Sequence, residues 1–154
     1  MISRPATWTA AHWLRALLVL YAVAAVVITV QRAVVGNENN FDTFRASVGH
    51  LRSGADLYAA YPAEHADRFK YSPSFPVLFA PFSVDPKWLG FFAWTLLSLG
   101  ALAWALVRLL PTRGAAIALA IVLFEAIGSA QRAQTNALVA ALMIAAFLAL
   151  EGDR

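Results

Sequence analysis

The sequence predicts an all-α polytopic transmembrane helical bundle of about four membrane segments, whose long first loop carries short interfacial helices. Three observations predict it. The chain is 60% hydrophobic and only 14% charged over 154 residues, with a mean hydropathy of +0.63, whereas a soluble domain carries about a quarter charged residues. Its apolar residues fall in runs close to membrane length. Its polar chemistry is concentrated in the stretch 36–87, which holds most of the acidic residues and every histidine except His12.

Leu14 to Val35 is an almost unbroken run of Leu, Val, Ile and Ala, long enough to cross a hydrocarbon core of about 30 Å at about 1.5 Å per residue. A signal peptide is the competing reading, because Arg4 and Arg15 stand at its start. The run exceeds a usual signal-peptide core, and Gln31-Arg32 stands where small cleavage-site residues belong. A retained anchor helix is therefore expected. Phe41 to Arg52 follows as a short amphipathic helix, with Phe44, Val48 and Leu51 at helical spacing, ended by Ser53-Gly54. Tyr71-Ser72-Pro73-Ser74-Phe75-Pro76 forbids a regular helix start before Pro73, because each proline restricts the residue before it, and Pro76 to Phe82 is apolar but short, as an interfacial segment is.

Asp85-Pro86 opens the next helix, with proline near its first turn. Trp88 to Leu110 is the second clear span, and Trp88, Phe91, Phe92 and Trp94 read as an aromatic belt at its loop end. Pro111 to Gly114 reads as a tight turn. Ala115 to Ile127 and Thr135 to Leu150 complete the bundle, both shorter than the roughly 20 residues of a simple span. Arg4, Arg15, Arg108 and Arg113 favour a cytoplasmic side for the start of the first helix and the end of the second. On that basis the 36–87 loop is extracytoplasmic, although Arg32 and Arg132 count against this orientation.

Several function classes are excluded. The chain has no cysteine, which removes disulfides, thiolate metal sites and a cysteine nucleophile. His12, His50 and His65 show no metal-ligand spacing, and neither a P-loop, a G-x-G-x-x-G nor a D-x-D pair is present. No metal or cofactor is therefore expected. The net charge of +3 comes without a basic run or basic helix face, which argues against nucleic acid.

The pieces Asn39-Asn40-Phe41-Asp42-x-Phe44-Arg45, His50-Leu51, Asp56-Leu57-Tyr58, Tyr61-Pro62-x-Glu64 and Lys70-Tyr71-Ser72-Pro73 occur in that order, and Ala133-Gln134-Thr135-Asn136 follows before the last apolar run. In order and spacing the chain resembles the amino-terminal part of the glycosyltransferase family 87 membrane proteins. There the last of these motifs reads G-Q-x-N, so Ala133 replaces a glycine. The resemblance implies a GT-C-like fold with its active site on the extracytoplasmic face of the membrane, in a bacterial inner membrane. It implies transfer of a hexosyl group, of mannosyl type, from a polyprenyl-phosphate sugar donor to a lipid or glycan acceptor. It further implies that residues 1–154 form one membrane domain, the amino-terminal portion of a longer transferase.

Glycosyl transfer to a hydroxyl needs one carboxylate base, and the phosphate leaving group needs cations rather than an acid. A single base acting opposite the leaving group inverts the sugar carbon. The resemblance points to Asp42 as that base, just after the first helix, with a helix cap as its plain alternative and Asp56, Glu64 and Asp67 as rivals. Arg45, Arg52 and Lys70 are candidates for the donor phosphate; snorkelling or pairing with Asp56, Glu64 and Asp67 explains them equally. Tyr58 and Tyr71 are candidate sugar contacts or belt residues, Glu64 a further substrate contact, and His50 and His65 read as loop hydrogen-bonders.

Glu125, inside the third apolar run, is a functional candidate because an ionisable group there is costly, or else a partner of Arg132. Gln134 and Asn136 are expected to face the site or to bond between helices. The rival function is a non-catalytic scaffold or flippase-type subunit that binds polyprenyl-phosphate sugars among the membrane lipids.

Overall fold

The computed structural model describes residues 9–36, 39–65 and 67–152. Arg4 therefore lies outside the described residues. The architecture is all-helical, as the hydropathy pattern predicts. Helix α1 spans Ala10–Val35, α2 Asn39–Ser53, α3 Phe75–Phe79, α4 Lys87–Leu109, α5 Thr112–Gln131 and α6 Asn136–Gly152, with a 3₁₀ turn at Ala80–Phe82 after α3. Three of these, α1, α4 and α5, are long and apolar enough to cross a membrane, and α6 is a shorter apolar helix of 17 residues.

α4 is the central helix and packs against α1, α5 and α6. Its buried positions, among them Thr95, Ser98, Leu99, Leu102 and Leu106, recur every three or four residues, as one face of a helix requires. α1 meets its neighbours through Tyr21, Ala24, Ala25 and Ile28. The small alanines let the backbones approach closely, the usual way helices associate where lipid offers no hydrophobic drive. The Tyr21 hydroxyl donates to the Leu119 carbonyl at 3.0 Å and ties α1 to α5. Gly36 ends α1 in the left-handed conformation (φ 70°), its N–H bonded to the Arg32 carbonyl at 2.8 Å.

Two boundaries differ from the sequence reading. α5 runs through the supposed turn at 112–114 and through 128–131, so it is a full 20-residue span. The reason is local: Pro111 serves as its N-cap, and polar residues in a terminal turn satisfy themselves in water without breaking the helix. Arg15 lies inside α1 rather than before it.

The aromatic residues at the loop end of α4 also differ from expectation. Phe91 and Trp94 are 1% and 3% exposed and belong to a core rather than a belt; Trp88 stays exposed. They interlock with Phe41 and Phe44 of α2, with Phe75 and Phe79 of α3 and with Phe82, mostly edge to face at centroid distances such as 5.3 Å for Phe41–Phe91 and 5.1 Å for Phe79–Trp94. That geometry suits the ring quadrupoles. α3 turns Pro76 and Phe79 into this core and leaves Val77 and Leu78 exposed, as an interfacial segment does. The aromatic core seats the 36–87 loop on the ends of the long helices.

Candidate functional site: a polar cavity under the loop

The loop closes over the α5–α6 turn and leaves a cavity of about 450 Å³. Asn40, Thr43 and Phe44 of α2 form one wall, the loop segment 67–71 another, and Gln134 and Asn136 the third. Each wall has a local cause. On α2, Asn40, Thr43 and Phe44 share one face, whereas Asp42 is turned about 160° away from Asn40 at about 100° per residue. In the 67–71 segment, Phe69 is buried at 3% exposure and anchors the chain, and its neighbours Arg68 and Lys70 both line the cavity.

The third wall rests on an unusual backbone. Ala133 sits at φ 51°, in the left-handed region that favours glycine. The N–H of Gln134 bonds to the Ser129 carbonyl at 2.9 Å and that of Ala133 to the Ala130 carbonyl at 3.0 Å. This reversal ends α5 and starts α6 three residues later, and it delivers Gln134 and Asn136 together. Their side chains bond at 3.2 Å, Asn136 Nδ2 donating to Gln134 Oε1.

The electrostatics centre on Asp67. Lys70 Nζ donates to both of its oxygens, at 2.8 and 2.9 Å, and the Arg68 backbone N–H donates to Oδ1 at 2.8 Å. The Lys70 hydrogen bond, helped by that backbone donor, holds the Asp67 carboxyl below the usual carboxylate range. Thr43 donates to the Asp67 carbonyl at 3.5 Å, and the His65 ring bonds the same carbonyl. The cavity thus holds one ionised carboxylate, two cations, three side-chain amides and a half-buried tyrosine ring.

Of the residues singled out in the sequence, Lys70, Tyr71, Gln134 and Asn136 come together here, joined by Asp67 from among the rival bases. The others do not. Asp42 accepts from Lys87 at 3.1 Å and Arg45 donates to Asp85 at 2.9 Å, two pairs that join α2 to the start of α4. Glu64 pairs with His50 at 3.1 Å, whose ring lies 3.8 Å from that of Tyr61. Tyr58 donates its hydroxyl to the Tyr71 carbonyl at 3.1 Å, and Arg52 is exposed at the end of α2.

Arg68, Thr43 and Asn40 are the cavity residues that sequence reasoning missed. The alternation of charge around Phe69 was a usable signal for Arg68. Asp67 entered only as a rival base. Among the described residues, no group of three His, Asp or Glu side chains is arranged to hold a metal ion.

The family model for glycosyltransferase family 87 matches residues 69–154, more than half of the chain. The chain belongs to glycosyltransferase family 87. No curated protein and no solved structure matches it. The matched residues take in Lys70, Tyr71, Gln134 and Asn136, the part of the cavity built by the 67–71 segment and the α5–α6 turn. A glycosyltransferase acts between a sugar donor and an acceptor, which is what membership of the family implies in general for this chain.

Proposed function

We propose that the chain acts as an inverting membrane glycosyltransferase that draws a hexosyl group from a polyprenyl-phosphate sugar and passes it to a lipid or glycan hydroxyl. In this reading the 36–87 loop lies on the extracytoplasmic face of a bacterial inner membrane. The observation that carries the proposal is the meeting, in one cavity, of Asp67, Arg68, Lys70 and Tyr71 with Gln134 and Asn136, in a chain of a glycosyltransferase family.

The chemistry follows from those groups. Arg68 and Lys70 hold the donor phosphate, the leaving group that departs with the bonding electrons of the anomeric C–O bond. Gln134 and Asn136 hydrogen-bond sugar hydroxyls, and Tyr71 offers its ring as a flat apolar surface. The acceptor hydroxyl attacks the anomeric carbon from the opposite side, and its proton passes to a carboxylate. Within the cavity that carboxylate is Asp67, which supports it over Asp42 on the far side of α2. Lys70 couples the two halves: when its ammonium moves from Asp67 to the donor phosphate, the Asp67 carboxylate is released and becomes a stronger base.

Membranes containing the protein, given polyprenyl-phosphate mannose with a radiolabelled sugar, test this reading. The expected result is transfer to a lipid fraction with the anomeric configuration opposite to that of the donor. Product of retained configuration, or transfer that requires a nucleotide sugar instead, overturns it.

A further inference from the structure

α5 and α6 touch each other little, and a second hollow of about 240 Å³ lies between them beside α4. Its walls are apolar, with Leu102, Val122 and Ala137 among them, except for Glu125, Ser129 and Asn136. Glu125 and Ser129 are four residues apart on α5 and so share a face. Asn136 lines both this groove and the polar cavity, so the two adjoin at that residue. The three polar groups form a track that starts about 9 Å down α5 from its Gln131 end at about 1.5 Å per residue, and leads to the Asp67–Lys70 pair.

Two features favour a polar occupant of the track. Ser129 is 2% exposed and lines the groove, and its hydroxyl has no hydrogen-bond partner. A buried hydroxyl without a partner is costly and is relieved when a ligand supplies one. Glu125 stands in an apolar span, where an ionisable group is retained for function. The pairing with Arg132 that the sequence allowed is not among the ion pairs of the described residues.

The charge of the two compartments differs. Arg68 and Lys70 line the polar cavity, whereas the groove has a carboxyl group and no cation among its lining residues. Phosphate therefore favours the cavity. The groove suits an uncharged group rich in hydroxyls, which donate to Glu125 and Ser129 and carry an apolar tail that fits the remaining wall.

We propose that the α5–α6 groove is the acceptor subsite and takes an uncharged, hydroxyl-bearing lipid. The proposal rests on the glycosyltransferase reading above. Glu125 and Ser129 hold hydroxyls of the acceptor headgroup, and Asn136 marks the point where the reacting hydroxyl meets the donor sugar. Glu125 is a positioning residue in this scheme; the proton still passes to Asp67.

Equilibrium binding of two radiolabelled probes to the protein in nanodiscs tests the assignment: dodecyl mannoside for the uncharged lipid and dodecyl phosphate for the anion. Glu125→Leu weakens dodecyl mannoside about tenfold, the effect of losing a strong hydrogen-bond acceptor, and Ser129→Ala weakens it to a smaller degree. Glu125→Gln, which keeps an acceptor oxygen, stays within about threefold of the parent protein, and dodecyl phosphate is held equally by all of these.

Dodecyl mannoside binding that ignores both Glu125→Leu and Ser129→Ala overturns the proposal, and so does a parallel loss of both probes in Ser129→Ala. Lys70→Met supplies the separate control. If it leaves dodecyl phosphate binding unchanged, the donor reading of the cavity fails, while the mannoside results still decide for or against the groove.

Discussion

Asp67 and Lys70 are paired by two short hydrogen bonds, yet their side chains are 54% and 65% exposed. An exposed pair of this kind contributes only about 0–1 kcal/mol to stability. Its depressed carboxyl pKa adds stability that is present above the unfolded-state pKa and is lost as pH falls through the folded-state value. Lys70→Met should therefore leave thermal unfolding nearly unchanged while it lowers transfer. It should also raise the Asp67 pKa toward the ordinary carboxylate range and so move the acid limb of the transfer rate to higher pH. A pH–rate profile unchanged by the substitution would separate Asp67 from the chemistry.

Ala133 gives a second prediction at this scale. Its left-handed φ of 51° costs an L-residue roughly 1–2 kcal/mol, but its methyl is buried at 1% exposure, which is worth about 0.8 kcal/mol. Ala133→Gly removes both and should change stability by no more than about 1 kcal/mol. Ala133→Val puts a β-branched side chain in the same conformation and should destabilise by well over that amount, read as a lower midpoint of thermal unfolding in detergent.

At the scale of the elements, the site depends on how the loop is seated on α4. Gly90 lies where α4 passes the 3₁₀ turn, and a Cβ there would overlap the Phe82 carbonyl oxygen and crowd the Phe41 ring. Because the obstruction is backbone, Gly90→Ala must push the 80–82 turn away and open the aromatic core behind it. Phe44, 1% exposed, packs on Tyr71, Phe75, Phe79 and Trp94. Phe44→Ala should cost about 3–5 kcal/mol through the cavity it leaves. Both variants should make the 54–74 segment open to protease while α4 and α5 stay protected; protection equal to that of the parent protein would show that the core does not seat the loop.

This is also where legibility in the sequence ended. The helical spacing of Phe44 and Val48 was readable because it obeys a local period. The role of Phe91 and Trp94 was not, because aromatic residues at a helix end suit a lipid interface and a protein core equally well until their neighbours are known.

For the whole molecule, composition and apolar run length were enough to predict a helical membrane bundle, and three helices are long and apolar enough to span. The candidate site was half legible. Lys70, Tyr71, Gln134 and Asn136 carry motif text. Which carboxylate joins them depends on the rotation of α2 and on the close of the loop, which a list of residues does not contain. The loop's sidedness can be read directly, because the chain has no cysteine. An exposed Ser53→Cys should react with a membrane-impermeant maleimide in intact cells and Arg113→Cys should not; the reverse pattern would invert the proposed orientation.

The central claim is that the cavity around Asp67 is where sugar is transferred. The most direct measurement compares Asp67→Asn with Asp42→Asn in one transfer assay from polyprenyl-phosphate mannose, at equal protein in membranes. Loss of a general base costs about 10²–10⁴-fold, so Asp67→Asn should fall by that much, while Asp42→Asn, which gives up only the Lys87 pair, should stay within about tenfold of the parent protein. Full activity in Asp67→Asn with a dead Asp42→Asn would contradict the account and put the chemistry on the other side of α2.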